Sequence, residues 1–214
     1  MRRWLSSLWQ RPHHRHDEPL SDLPHRGFLA IDLETTGLDS QRDRIVALAA
    51  LRFIEDRAVP ELVTLVNPGC SIPAAATRIH GINDAMVTGA PAETSAVERL
   101  DAISAEQVIV GHGIAFDMAV LARARGAVSA PRPPRFVLCT QRLAASLYPG
   151  WPDWNLEAVC ERLGVAPERR HTADGDAELA GRLLLRLLPH LEQRGIRTLA
   201  EALWLQDASV ARTR

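Results

Sequence analysis

The sequence contains no lysine, so all 25 of its Lys+Arg residues are arginine. Set against 26 acidic residues they leave a formal net charge of -1, and the chain as a whole presents no basic field. A nucleic-acid ligand would have to be held by a local site and not by bulk charge. A GC-rich coding sequence accounts for the arginine bias more simply than a phosphate-binding purpose does. Cysteine is also scarce. Cys70, Cys139 and Cys160 are odd in number and no pair has C-x-x-C spacing, which argues against a disulfide framework or a structural zinc site. Reduced, buried thiols and a cytoplasmic location are the expectation. There is no run of about 18 apolar residues, so no membrane span is expected. The N-terminal apolar stretch breaks at Ser6-Ser7 and ends at Arg11, too short and too polar for a secretory signal.

What remains is the composition of a globular domain. Hydrophobic residues make up 46% and charged residues 24% of the 214, enough to bury a core without covalent staples. Residues 1–26 differ from the rest. They hold His13, His14, His16 and His25, half of the eight histidines, and are broken by Pro12, Pro19 and Pro24. This stretch reads as a flexible, basic and His-rich extension preceding a domain over 27–214. Trp4, Leu5, Leu8 and Trp9 have helical spacing. A helix there has three surfaces open to it: its own domain, a protein partner, or a membrane surface. The first two are favoured.

Apolar β-type runs at Phe28–Leu33, Arg44–Ile54 and Val59–Val66 predict three successive strands. Shorter ones at Val108–Val110 and Arg135–Cys139 predict two more. Helical spacing covers Pro91–Ser104, Phe116–Arg125, Thr140–Leu147, Asn155–Leu163, Ala173–Leu191 and Thr198–Ala208. Three strands followed by alternating strands and helices predict an α/β fold with a mixed central sheet flanked by helices.

Three acidic signals stand out. In Ile31-Asp32-Leu33-Glu34-Thr35-Thr36-Gly37 the two acids are two apart, so on a strand both project from one face. Two carboxylates on an apolar strand call for compensation, and a divalent cation such as Mg²⁺ or Mn²⁺ supplies it. An edge strand with a solvated acidic end explains the pair equally well. In Gly111-His112-Gly113-Ile114-Ala115-Phe116-Asp117, Asp117 falls in a first helical turn, where the helix dipole alone would favour it. In His171-Thr172-Ala173-Asp174-Gly175-Asp176, Asp176 falls early in the long helix behind a loop histidine. A capping cluster with Asp174 as the cap is the simpler account of that segment.

Taken together and in this order, D-x-E on a strand, F-D at a strand-to-helix turn and H-x4-D at a helix start resemble the DEDD exonuclease superfamily. The similarity is greatest to the proofreading epsilon subunit family of bacterial DNA polymerase III. It runs over about 28–188 and includes Arg78-Ile79-His80-Gly81-Ile82, Gly89-Ala90-Pro91 and Asn155-Leu156-Glu157-Ala158-Val159-Cys160. The tyrosine branch of the superfamily has Tyr four residues before the last Asp, where this chain has Thr172. The histidine branch has His five before, where this chain has His171, so the resemblance is to the DEDDh branch. Gly113 stands where the family commonly has Asn, and Cys139 where relatives often have Asp.

The resemblance implies a ribonuclease H-like fold and 3′–5′ exonuclease activity on single-stranded DNA ends, releasing nucleoside 5′-monophosphates. An exoribonuclease or oligoribonuclease of the same branch is the alternative. It implies two Mg²⁺ or Mn²⁺ ions on Asp32, Glu34, Asp117 and Asp176, with His171 as general base. It places substrate contacts at Thr35, Thr36, Leu38, Ile79, His80, His112 and Phe116. Arg123, Arg125, Arg132 and Arg135 suggest a phosphate patch, though each taken singly suits a solvated surface.

Overall fold

The three apolar runs of the first half pair as antiparallel strands, and the two later ones add in parallel. The computed structural model describes residues 17–126, 136–166 and 169–210. In chain order these form a 3-10 turn at Leu20–Asp22, α1 (Leu23–Arg26), β1 (Phe28–Thr35), β2 (Ile45–Ile54), β3 (Arg57–Leu65), α2 (Ala74–His80), α3 (Asp84–Val87) and α4 (Glu93–Ser104). There follow β4 (Val108–Gly111), α5 (Ala115–Arg125), β5 (Phe136–Cys139), α6 (Thr140–Leu147), α7 (Leu156–Leu163), α8 (Ala173–Gln193) and α9 (Leu199–Val210). The sheet order is β3-β2-β1-β4-β5. β1 pairs antiparallel with β2 and parallel with β4, and the strand order reverses at it, running out to β3 on one side and to β5 on the other. Such switch points leave a crevice beyond the carboxyl ends of the parallel strands.

β1 buries both faces. Phe28 and Ala30 point toward α8, whose stripe of Leu179, Leu183, Leu187 and Leu191 is buried with them. Leu29, Ile31 and Leu33 point the other way, against Val97 and Leu100 of α4 and Val120 and Leu121 of α5. Each buried leucine or isoleucine contributes roughly 1.5–3 kcal/mol. Further along the α8 face, Asp32 lies opposite Ala49 and Glu34 opposite Ala47 on β2. Those two alanines have no bulk to fill the space above the acids, and the first turn of α8 enters there.

Several expectations need correction. Leu20 and Leu23 are in the core, and the Leu20 N–H donates to the Arg197 carbonyl at 2.8 Å. The last ten residues of the expected flexible extension therefore pack on the domain; the Trp4–Trp9 helix lies outside the described residues. Cys139 and Cys160 are buried free thiols, but Cys70 is exposed. Arg123 and Arg125 form no phosphate patch. Arg123 is held by Glu93 at 2.6 Å and Arg125 by Asp101 at 2.5 Å, both as largely buried pairs. Arg132 and Arg135 lie outside the described residues. α2 and α3 were not expected; each is too short to show a helical apolar period. Among the described residues no helix is long and apolar enough to cross a membrane.

Candidate active site

β1 delivers Asp32 and Glu34, α8 delivers Asp176, and one carboxylate oxygen from each lies within 4.8 Å of the others. Asp176 arrives there because α8 begins at Ala173. Its cap is Thr172, whose hydroxyl accepts the Gly175 N–H at 3.2 Å. The cap expected at Asp174 is not used; Asp174 pairs instead with Arg169 at 2.5 Å.

Asp117 completes the acidic group from behind. It is buried in the first turn of α5, and its Oδ1 accepts the Leu33 N–H at 3.1 Å. That bond fixes it to the stretch of β1 between the other two acids. Asp117 is not among the three whose ligand atoms converge within 4.8 Å. Its charge nevertheless acts on Asp32 and Glu34.

Burial, reinforced by the charges of Asp117, Asp176 and Glu34, raises Asp32 well above the usual carboxylate range. Burial and the charges of Asp176 and Asp117 push Glu34 up to about 7. Asp117 is pushed up to about 7 by burial, opposed by backbone N–H groups including that of Leu33. Asp176 is raised by burial, while Arg170 pulls it down. Four acids that resist ionising together are a site with a deficit of positive charge. All the donors are hard carboxylate oxygens, the set that suits Mg²⁺ or Mn²⁺ over softer metals. The residues present fit a divalent cation.

His171 directly precedes the cap of α8. It is exposed and left-handed at φ +59. Its backbone N–H bonds to the Asp176 carboxylate, so the imidazole belongs to a turn tied to the site.

The expected substrate residues divide in two. Leu38 is 89% exposed and Ile79 60% exposed, apolar side chains presented to solvent. The others serve the protein itself. The Thr35 hydroxyl donates to the Gly37 carbonyl at 2.6 Å, and the Thr36 hydroxyl to Asp43 at 2.8 Å. His80 is buried, its Nδ1 accepting the Ile82 N–H at 3.0 Å. Burial lowers its pKa, and the Thr35 backbone opposes this, which puts the ring beside the end of β1. His112 Nε2 donates to the Trp154 carbonyl at 2.9 Å, and its Nδ1 lies 2.9 Å from the Thr140 hydroxyl. Burial brings it down to about 4, a neutral ring. Phe116 packs on the α4–α5 side of the core. Gly113 has φ +68, a conformation glycine and asparagine adopt more readily than other residues.

Sequence reasoning passed over Arg170. Its Nη1 donates to Asp176 Oδ1 at 2.5 Å, and its guanidinium also holds Glu157 on α7. The only local signal is the Arg169-Arg170 pair directly before His171.

The match that decides the family covers residues 29–184, almost the whole of this framework, and is to the exonuclease family RNase T. The chain belongs to the RNase T exonuclease family. It is 39% identical over 181 residues to a DNA polymerase III subunit epsilon-like protein of Rhodobacter capsulatus, covering 82% of this chain and 26% of that one. It is 28% identical over 164 residues to the DNA polymerase III subunit epsilon of Aquifex aeolicus, covering 77% of this chain and 81% of that one. The chain thus spans about a quarter of the length of the first relative and most of the second. Among solved structures, exonuclease X in complex with 5′ overhanging duplex DNA superposes with a TM-score of 0.62 at 25% identity, over 84% of this chain and 99% of that one. Escherichia coli exonuclease I with a dA16 oligonucleotide gives 0.63 at 21% identity, over 78% of this chain and 43% of that one, a likeness of fold. The mixed five-stranded sheet with its flanking helices is the ribonuclease H-like exonuclease fold of these proteins, and the DEDD type of RNase T family implies a divalent metal.

Proposed function

We propose that the chain removes nucleotides from the 3′ end of single-stranded DNA by hydrolysis, releasing nucleoside 5′-monophosphates. The observation that carries this reading is the convergence of Asp32, Glu34 and Asp176, with Asp117 behind them, in an exonuclease of this family. DNA is favoured over RNA by what the similar proteins are named for: polymerase III epsilon subunits, and an exonuclease X structure that contains DNA.

In this reading the four carboxylates hold two Mg²⁺ or Mn²⁺ ions, which when bound supply an acidified water and charge stabilisation of the leaving 3′ oxygen. The carboxylates would have to be ionised to hold the ions, so Glu34 and Asp117, pushed up to about 7, would have to give up their protons. His171 accepts the proton of the attacking water at an imidazole nitrogen. Its exposure and its tether to Asp176 support that role. Leu38 and Ile79 pack against the terminal bases with their exposed side chains. The backbone at Thr35 and Thr36, fixed by Asp43, meets the sugar-phosphate. His80, His112 and Phe116 shape the pocket through their packing.

The test is product identity. Purified protein with Mn²⁺ and a short single-stranded DNA should yield nucleoside 5′-monophosphates by mass spectrometry from the first turnovers. Release of 3′-monophosphates or internal fragments would contradict the reading.

A further inference from the structure

We propose that Arg170, anchored by Glu157, is a positioning residue that shares Asp176 with the divalent cation and holds the His171 turn against α8. The inference rests on the metal-dependent reading above and deepens it.

Two independent features pin this turn. The first is backbone packing. A Cβ added at Gly175 would lie 1.7 Å from the Arg169 carbonyl oxygen, so the chain at Arg169 rests directly on the helix backbone. The second is the fork of Arg170. Nη1 donates to Asp176 Oδ1 at 2.5 Å, Nε donates to Glu157 Oε1 at 3.1 Å, and Nη2 bonds to that same oxygen. A planar guanidinium bridging two carboxylates fixes the orientation of both. Here one belongs to α7 and the other is the α8 acid of the site. His171 follows immediately at φ +59, a conformation that persists in a non-glycine residue only where its surroundings hold it.

The position of the charge sets a trade. The Arg170 side chain is 16% exposed, and its charge acts on Asp32 and Glu34 as well as Asp176. Glu157 and Cys160 from α7 and His112 from the loop after β4 are the other groups that feel it. A fixed cation on one carboxylate of a metal site repels the incoming ion and loosens its binding. In return, Asp176 and the His171 turn keep one geometry.

The experiment measures Mn²⁺ binding by calorimetry and steady-state digestion of single-stranded DNA on the full chain. Arg170→Met removes charge and fork together. It should bind Mn²⁺ about tenfold more tightly, because the repulsive charge is gone. Its kcat should fall about tenfold or more, with KM changed by less than about threefold. Arg170→Lys restores the charge without the fork, so its Mn²⁺ affinity should return to within about twofold of the parent while kcat stays low. A merely structural role would lower the melting temperature and leave Mn²⁺ affinity and kcat of the folded protein unchanged. Unchanged or weaker Mn²⁺ binding in Arg170→Met overturns the proposal, as does full recovery of kcat in Arg170→Lys. Failure of the unsubstituted protein to bind Mn²⁺ and digest DNA would instead overturn the metal-dependent reading itself, and is seen without any variant.

Discussion

The carboxylate of Asp117 accepts the Leu33 backbone N–H at 3.1 Å, joining residues 84 positions apart. Leu33 is the residue between Asp32 and Glu34. The hydrogen bond therefore ties α5 to the acid-bearing end of β1, and it brings a fourth carboxylate behind the three that converge. The cost of this arrangement is electrostatic, and it has a measurable pH signature.

Glu34 and Asp117 sit at about 7 in the fold, above the ordinary values of 4.5 and 3.8. Between those limits the folded state holds protons that the unfolded state has released. Stability of the metal-free protein should therefore fall as pH rises from about 4 to about 7. Asp117→Asn keeps a carbonyl acceptor for Leu33 and removes one buried acid. At pH 7.5 without metal it should be more stable by about 2 kcal/mol, a rise of roughly 4–8 °C in melting temperature. It should also lose activity. A metal-free melting temperature that climbs across this pH range would contradict the account.

A cation that relieves the same repulsion should stabilise the fold. At about 100 times its dissociation constant, Mn²⁺ should add about 2.7 kcal/mol. The Asp32→Ala protein should show little of this shift. Thermal melts with and without Mn²⁺, on both proteins, measure it directly. No shift in the unsubstituted protein would remove support for the converging-acid site.

The packing of Gly175 predicts a functional defect without loss of fold. Gly175→Ala places a methyl group where the Arg169 carbonyl now lies, so the turn carrying His171 must move. A displacement of about 1 Å in a catalytic group can cost about a hundredfold in rate. Digestion should fall by that order while the circular dichroism spectrum stays unchanged. Wild-type kcat in this variant would show that the turn is not held as described.

The strands and the acid-bearing segments of β1 and α8 were legible in the sequence for one reason: they are strongly periodic. The alternation along Phe28–Glu34 assigned Asp32 and Glu34 to one face, and the leucine stripe from Leu179 to Leu191 defined α8. The structure bears out both. What the sequence hid depends on contacts between distant segments. Nothing local indicates that Arg125 pairs with Asp101, that Leu20 reaches the core, or that Thr172 and not Asp174 caps α8. α2 and α3 escaped because a helix of one or two turns leaves no period to read. Arg170 escaped because its partners, Glu157 and Asp176, lie on two different helices.

One such distant contact bears on stability alone. Gln206 on α9 accepts the Cys139 N–H at 2.8 Å and donates to the Val137 carbonyl at 2.8 Å. It completes the open edge of β5 as a neighbouring strand would. Gln206→Ala leaves buried backbone groups unpaired and should cost about 1–3 kcal/mol, read as a lower urea midpoint at unchanged activity of the folded fraction. A midpoint equal to that of the parent would show that the edge is satisfied without it.

The most direct test of the central claim is a paired digestion. Single-stranded DNA and RNA of one sequence, labelled at the 5′ end, are incubated with the protein in Mn²⁺ or EDTA, alongside Asp32→Ala. The account predicts a ladder shortening from the 3′ end, faster on DNA, present only with Mn²⁺ and absent in the variant. Digestion that persists in EDTA or in Asp32→Ala, or no digestion of either strand, would contradict it.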